Sequence, residues 1–400
     1  MLNARQRFRQ TMTFGDPQGV FFWCRSGALR QATLHRWFQE GLPAELGSSD
    51  SKEAWRESWR KVRDYLGFDR SEDLPVDYGP LPRFEERILE QDERYQIWID
   101  ELGAKRLDFR EQPEPGFQTR TWIEFPVKTR HDYLRIIERH DAGHPERYPS
   151  DWSQYAASIK DRDYPVRLVI PSMFSKVRDW MGLEAMSVCM YDDPGLMHEM
   201  MEFVADFVIE ATRRALADVE VDWVMLHEDM AYKTASMISP AMVRRFMLPG
   251  YRRIVSFIRD AGVPVVSMDS DGNINELIPI WLEAGIDSVF PLEIAAGMDP
   301  VALRERYGQR LGLIGGIDKR ELARDKAAVE REVLAKVPQL LRSGGYIPNV
   351  DHGVPTDVPY ENFRYFVQLV REVEAEVFGS KGGGAGLAAA APSRESTRRP

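Results

Sequence analysis

The feature that most constrains this chain is an alternation of short apolar runs and amphipathic stretches from Pro165 to Phe378. Its plainest instance is Val263-Pro264-Val265-Val266-Ser267-Met268-Asp269-Ser270-Asp271-Gly272-Asn273. The run opens apolar and rich in β-branched residues, as a strand buried on both faces does. It then turns into two carboxylates, a glycine and an asparagine, and a helical pattern follows from Asn275 to Ala284. A buried strand that ends in acids just before a helix is a βα unit with polar chemistry at its carboxyl end.

Six such strands are predicted: Pro165–Pro171, Val221–Leu226, Pro264–Met268, Ser288–Leu292, Leu311–Ile314 and Tyr346–Val350. The helices between and after them are Pro194–Asp218, Pro240–Ala261, Asn275–Ala284, Pro300–Tyr307, Lys326–Leu341 and Tyr360–Phe378. Ser239-Pro240 and Asp299-Pro300 are helix starts, a capping side chain followed by proline in the first turn. Gly262, Gly285 and Gly308 fall just past helix ends, where a left-handed residue is wanted. Strand–helix units in series make a parallel sheet with helices outside it.

Residues 1–160 are less regular. Asn3 to Met12 is a helix capped by Asn3, and Lys52 to Leu66 a second helix. Gly19 to Arg25, Tyr95 to Asp100, Ala104 to Phe109 and Thr119 to Phe125 have strand character; Phe84 to Gln91 and Asp132 to His140 are expected to be helical. The aromatic residues here are expected to pack in the core. With one or two strands from this part, the count points to a single α/β domain over residues 1–378. That domain is a closed (β/α)8 barrel of the TIM type, with an irregular, β-containing part before residue 161. A doubly wound open sheet is the alternative, weakened because no glycine-rich phosphate loop follows a strand. Residues 379–400 are a Gly/Ala-rich segment of low complexity, expected to be disordered.

Bulk composition removes several classes. The net charge of −10 argues against nucleic acid as a partner, which needs a basic face. No apolar run approaches the ~20 residues of a membrane span, and Met1 to Gln10 is too polar for a secretory signal. Two cysteines, Cys24 and Cys189, fit a reducing, cytoplasmic setting and exclude a multi-cysteine metal site within the chain.

In a barrel, side chains just past the strand ends share one mouth. Those positions hold His227, Glu228 and Asp229, then Asp269 and Asp271, Glu293, Asp318 and Lys319, and Asp351 and His352, with Tyr232 and Lys233 nearby. Crowded carboxylates need a metal, a cationic substrate, or protonated members that serve as acids. Asp269, Asp271 and Glu293 would suit a hard divalent cation. Glu228, Asp229, Asp271 and His352 are the candidate acid/base groups, the imidazole because it titrates near neutrality. Capping of helices and pairing with arginines is the competing explanation for any one of these acids.

Five segments stand out in order: Ala4-Arg5-Gln6-Arg7-Phe8, Asp222-Trp223-Val224 through His227-Glu228-Asp229, Ile238-Ser239-Pro240 with Phe246 and Pro249, Leu313-Ile314-Gly315-Gly316-Ile317-Asp318, and Gly344-Gly345-Tyr346-Ile347-Pro348 with Asp351-His352. Taken together, they resemble the uroporphyrinogen decarboxylase superfamily, which includes cobalamin-linked methyltransferases. The resemblance implies a (β/α)8 barrel. The decarboxylases' Arg-Gln-Ala-Gly-Arg segment is replaced by Trp23-Cys24-Arg25-Ser26-Gly27-Ala28-Leu29-Arg30, which keeps two arginines. The methyltransferases' zinc-binding His-x-Cys pair falls on Asp269-x-Asp271, and no cysteine lies near the last strand. His352 matches the histidine that decarboxylases place near substrate.

The expectation is therefore an enzyme acting on a small molecule by methyl transfer, as in O- or N-demethylation linked to a corrinoid protein. His227, Tyr232, Lys233 and Asp351 would contact substrate. The alternative is a lyase that decarboxylates a tetrapyrrole or another carboxylate, with Arg25 and Arg30 as the clamp. A third reading is a binding barrel without chemistry.

Overall fold

A computed structural model describes residues 2–25, 28–111 and 120–379. The segment 380–400, expected to be disordered, lies outside the described residues, as does most of the Pro-rich connection after Glu111. In chain order the structure opens with α1 (Ala4–Met12), α2 (Gln31–Gln39), α3 (Lys52–Tyr65) and β1 (Glu72–Asp73). An antiparallel excursion follows: β2 (Arg87–Gln91), β3 (Tyr95–Ile99), β4 (Lys105–Phe109) and β5 (Arg120–Glu124). Next come α4 (Arg130–Ile137), α5 (Trp152–Ser158), β6 (Val166–Pro171), α6 (Met173–Met181), α7 (Leu183–Asp192) and α8 (Pro194–Asp218). The regular part continues with β7 (Trp223–His227), α9 (Pro240–Phe246), α10 (Leu248–Asp260), β8 (Val265–Asp269), α11 (Ile278–Ala284) and β9 (Ser288–Phe290). It ends with α12 (Pro300–Tyr307), β10 (Gly312–Ile314), α13 (Lys319–Leu322), α14 (Lys326–Ser343), β11 (Tyr346–Ile347) and α15 (Tyr360–Phe378).

Seven strands form one parallel sheet in the order β1-β6-β7-β8-β9-β10-β11. Sequential neighbours throughout, each linked by a helix-bearing crossover, are what the strand–helix alternation dictates. Eight strands were expected, and seven belong to the sheet among the described residues. The run Gly19–Arg25, expected as a strand, is held instead by an isolated parallel bridge from Trp23 to Asp69, beside β1. Leu29 makes a second parallel bridge to Val354, after β11. One interior cluster gathers Phe21 and Trp23 from this run with Trp223, Met225, Val265, Phe290, Ile314 and Ile347. The sheet is therefore curled around a shared interior, and α1 adds Phe8 and Met12 to that cluster.

The local chemistry explains the matches and the differences. Asn3 caps α1 with a reciprocal Asn3–Gln6 capping box. Ser239 accepts from the Met242 amide, and Asp299 from those of Val301 and Ala302. The single helix expected over Pro240–Ala261 is broken at Met247. Pro249, in the first turn of α10, lacks the amide that would continue the ladder. The helix expected from Asn275 starts at Ile278, with Pro279 in its first turn. Phe84–Gln91, expected as a helix, contains β2, because its apolar residues are too few to specify a period and pairing with β3 decides. Aromatic residues of the amino-terminal part such as Phe22, Trp37, Trp59, Tyr133 and Trp152 pack in the core as expected, while the excursion after β1 exposes Phe109 and Trp122 together with Ile88, Leu89 and Ile123.

Asp222 ties the amino-terminal helix to the sheet. Its carboxylate, with no exposed surface, accepts from Arg5 Nε at 2.8 Å, Arg9 Nε at 2.5 Å, Arg162 Nη2 at 2.8 Å and the Val166 amide at 3.0 Å. A buried charge with this many donors is secure, but removing it strands cationic partners, of which Arg162 is itself buried. Among the described residues no helix is long and apolar enough to cross a membrane. Asp222→Ala is expected to cost about 3–5 kcal/mol of unfolding free energy, read as a lowered urea midpoint, whereas Glu220→Ala, on the exposed rim of the same cluster, should cost less than about 1 kcal/mol.

Candidate active site

The parallel register sets the first row of the site. Pro171 of β6 pairs with His227 of β7, His227 with Asp269 of β8, and Asp269 with Phe290 of β9. Strand ends in register bring side chains separated by 63 positions in sequence, from His227 to Phe290, to one level. His227 uses both ring nitrogens: Nδ1 lies 3.5 Å from Asp269 Oδ2, and Nε2 lies 3.6 Å from Asp229 Oδ2. Arg25 stands over the Phe290 ring at 5.5 Å, with Nη1 3.9 Å from Asp269 Oδ2. Asp269 is only 4% exposed, so the charges around it are weakly screened. Burial depresses the proton affinity of His227, but the bond to Asp269 and the charges of Asp229 and Asp269 outweigh it and lift the pKa to about 9.

A second cluster lies beyond the next turns. His352 Nε2 is 3.3 Å from Asp271 Oδ2, and one donor atom each from Asp271, Glu293 and His352 lie within 4.8 Å of one another. Hydrogen bonding to Asp271 raises the imidazole of His352 above its ordinary range despite burial. Burial works against ionisation of Asp271, yet the bond from His352 prevails and holds its carboxyl low. The two clusters touch where the Asp271 amide donates to Asp229 Oδ1 at 3.3 Å. Asp229 has a left-handed backbone, φ +48°, and Arg178 Nη1 donates to its carbonyl at 2.6 Å. A non-glycine residue held in that region stores strain, a common property of functional sites. Burial raises the carboxyl of Asp229, with Asp271 and Asp269 adding to the rise and His227 opposing it.

Gly272 makes the turn between the clusters possible. Its φ is +84°, and a Cβ would meet the Ala231 carbonyl oxygen at 2.5 Å and that of Tyr232 at 2.6 Å. Its amide donates to Glu293 Oε2 at 2.9 Å. Lys319 closes the far side, with Nζ 3.3 Å from Asp351 Oδ1 and 3.8 Å from Glu293 Oε1.

The structure therefore gathers Arg25, His227, Asp229, Asp269, Asp271, Glu293, Asp351 and His352. It does not bring in all the expected residues. Glu228 is completely buried and held by the Ser175 amide at 2.8 Å and Tyr251 Oη at 2.5 Å, so it anchors α6 and α10 to β7 rather than facing the opening. The alternation of side chains beyond the strand sends it outward when His227 points inward. Tyr232 and Lys233 are exposed on a hairpin loop, Tyr232 at 56%. Arg30 lies next to the His352 loop, where a Cβ on Gly353 would stand 3.5 Å from its Nε. Asp351 is fully buried and accepts from the Ile294 and Lys319 amides as well as from Lys319 Nζ. The three expected cation ligands are divided: Asp269 groups with His227 and Asp229, while Asp271 and Glu293 group with His352. Asp318 caps α13 and pairs with Arg320. Arg178 was missed, although Ser172 at the cap and Met173, Phe174, Val177, Trp180 and Met181 at helical spacing mark α6 in the sequence; Lys319 was noticed but given no role.

The family model described as Uroporphyrinogen decarboxylase (URO-D) matches residues 174–373. The chain is 34% identical over 199 residues to a uroporphyrinogen decarboxylase of Nocardia farcinica, covering 48% of this chain and 52% of that one. It is 28% identical over 192 residues to one of Thermus thermophilus, covering 46% and 51%. The chain thus spans about half the length of the curated relatives it matches. Among solved structures it is similar in fold to a methyltransferase from Methanosarcina mazei, with a TM-score of 0.57 at 14% identity over 93% of this chain and 99% of that one.

His227 carries a titration that stability should report. Its folded pKa of about 9 lies above the ordinary 6.5, so its contribution is complete below about 6.5 and is lost as pH rises through about 9. Asp269→Asn is expected to move the His227 ring titration, followed by NMR, down toward its ordinary value and to flatten that part of the stability–pH curve.

Proposed function

The chain belongs to the uroporphyrinogen decarboxylase (URO-D) family, and on that premise we propose that it is an enzyme that removes a methyl group from a small O- or N-methylated molecule. The acceptor in this reading is a corrinoid carried by a partner protein. The same reading closes the curled sheet into a (β/α)8 barrel through Val20–Cys24, and takes residues 1–378 as one domain. It places the protein in the cytoplasm, in keeping with Cys24 and Cys189 as free, buried thiols.

The observation that carries the proposal is the His352–Asp271 pair, an imidazole whose proton affinity is raised by a carboxylate at a partly open position. Dealkylation leaves an electron pair on oxygen or nitrogen, and a positioned acid removes that charge as it forms. When the carbon–heteroatom bond breaks, the methyl passes to the acceptor and the heteroatom takes a proton from His352. Nε2 faces Asp271, so the proton comes from Nδ1. Asp271 orients the ring and stabilises its charged form before the reaction. Asp229, with its carboxyl raised by burial, adjoins this pair through the Asp271 amide.

A zinc activated by thiolate does not fit, since neither cysteine is in the mouth and the donors there are oxygen and imidazole. Asp271, Glu293 and His352 carry the oxygen and imidazole donors that a hard divalent cation takes, but the Lys319 ammonium stands 3.8 Å from Glu293 Oε1, and no step of this reading uses a metal.

Decarboxylation is the second reading, and Arg25 is the observation that favours it. Its guanidinium has no closer carboxylate among the described residues than Asp269 at 3.9 Å, which leaves donors for a substrate carboxylate. The mouth is also less acidic than the sequence suggests: with both imidazoles protonated, Arg25, His227, Lys319 and His352 stand against Asp229, Asp269, Asp271, Glu293 and Asp351.

The test is single-turnover methyl transfer from a panel of aryl methyl ethers and methylamines to a reduced corrinoid protein. His352→Ala is expected to lower the rate about 100-fold or more, with the wild-type rate falling as pH rises through the elevated pKa of His352. Release of carbon dioxide from a carboxylated substrate, abolished in Arg25→Ala, with no methyl transfer from any donor, would replace the first reading by the second.

A further inference from the structure

Lys319 belongs to neither imidazole cluster and is not needed as the acid in the reaction above. Its position is nevertheless fixed with unusual care. Asp318, at the start of α13, caps that helix, and its own amide donates to Glu332 at 2.8 Å. The Lys319 amide and ammonium both reach Asp351 Oδ1, each at 3.3 Å. The same ammonium is 3.8 Å from Glu293 Oε1, and Glu293 is one of the three groups that face a shared point with Asp271 and His352.

Asp351 explains why the ammonium stays. Its side chain has no exposed surface, and its other donor among the described residues is the Ile294 amide at 3.2 Å on Oδ2. If Lys319 swung away to admit another cation at Glu293, Asp351 would be left as a buried carboxylate without its counter-charge, a costly arrangement. A divalent ion at Asp271, Glu293 and His352 would therefore meet a carboxylate already neutralised on one side and a fixed positive charge a few ångströms away.

We propose that Lys319 is the built-in counter-ion of the mouth: it is anchored by Asp351, holds Glu293, and excludes divalent cations from the Asp271–Glu293–His352 cluster. The cluster is then a proton-handling pair with a lysine beside the place a metal would take. The inference deepens the proposed function and rests on it only for the use of that proton. The cation specificity itself is independent of any substrate.

The experiment is equilibrium dialysis and calorimetric titration of the full chain with Zn2+ and with Mn2+. Lys319→Met/Asp351→Asn removes the ammonium together with the buried charge it serves, so the fold is not asked to bury an orphan carboxylate. This variant is expected to bind one Zn2+ per chain about 100-fold more tightly than wild type, and to lose that binding when Asp271→Asn or His352→Ala is added. Lys319→Arg, which keeps the charge, should behave as wild type. The proposal is overturned if wild type already binds one Zn2+ or Mn2+ as tightly as the double variant, or if the double variant binds no better than wild type. Neither result depends on methyl transfer, so a failed activity assay and a failed cation titration remain distinguishable.

Discussion

The guanidinium of Arg167 is the interaction on which the opening rests. It lies inside the curled sheet, 5.0 Å from both the Trp23 and the Trp223 rings, and is held to Asp73 by two hydrogen bonds of 2.7 and 2.8 Å. Flat, delocalised and weakly hydrated, a guanidinium can stack on aromatic faces and still satisfy a carboxylate, which an ammonium cannot do as well. Four parts of the chain meet at this one group: the Val20–Cys24 run, β1, β6 and β7. Trp223 in turn donates to Ser267 of β8 at 2.6 Å, and Trp23 packs edge-on to Phe290 of β9 at 5.4 Å. The layer formed in this way is the floor on which Arg25, His227 and Asp269 stand.

Above that floor the arrangement is one of paired charges. Each carboxylate facing the mouth has a cationic or amide partner, and each imidazole has a carboxylate. This pairing keeps several ionisable groups in a small space without a large net charge, and it separates their proton affinities: His227 and His352 are pushed up, Asp271 down and Asp229 up. Groups that differ in this way can exchange a proton in a defined direction, which is the usual basis of acid–base assignments. The strain at Asp229 and the tight turn at Gly272 are the backbone conditions that bring the two clusters into contact.

The family relationship and the site place different limits on function. The family model matches the half of the chain that contains nearly every mouth residue, and the fold is shared with a methyltransferase. A fold hosts many reactions, so the chemistry has to be argued from the residues. Here Asp269 and Asp271 offer oxygen donors to two different histidines, and the ammonium of Lys319 lies against Asp351 and Glu293.

By itself the sequence determined six of the seven strands of the parallel sheet and their order, and both ends of α8, α12 and α15. Their ends were legible because a proline at or just before the first turn marks all three starts and a glycine follows α12 and α15, over distances a local pattern records. It also pointed to the strand ends as the candidate site, since a buried strand that ends in acids can place them only at the sheet's edge. Which of those acids face inward was not legible. Glu228 and His227 are adjacent in sequence, and one points out to Tyr251 while the other meets Asp269; only the packing of α6 and α10 decides between them. The division of Asp269, Asp271 and Glu293 between two histidines, and the hold of Asp351 on Lys319, depend on distances between separate strands. Those distances are set by sheet curvature and strand register, which are properties of the assembled structure and of no single segment.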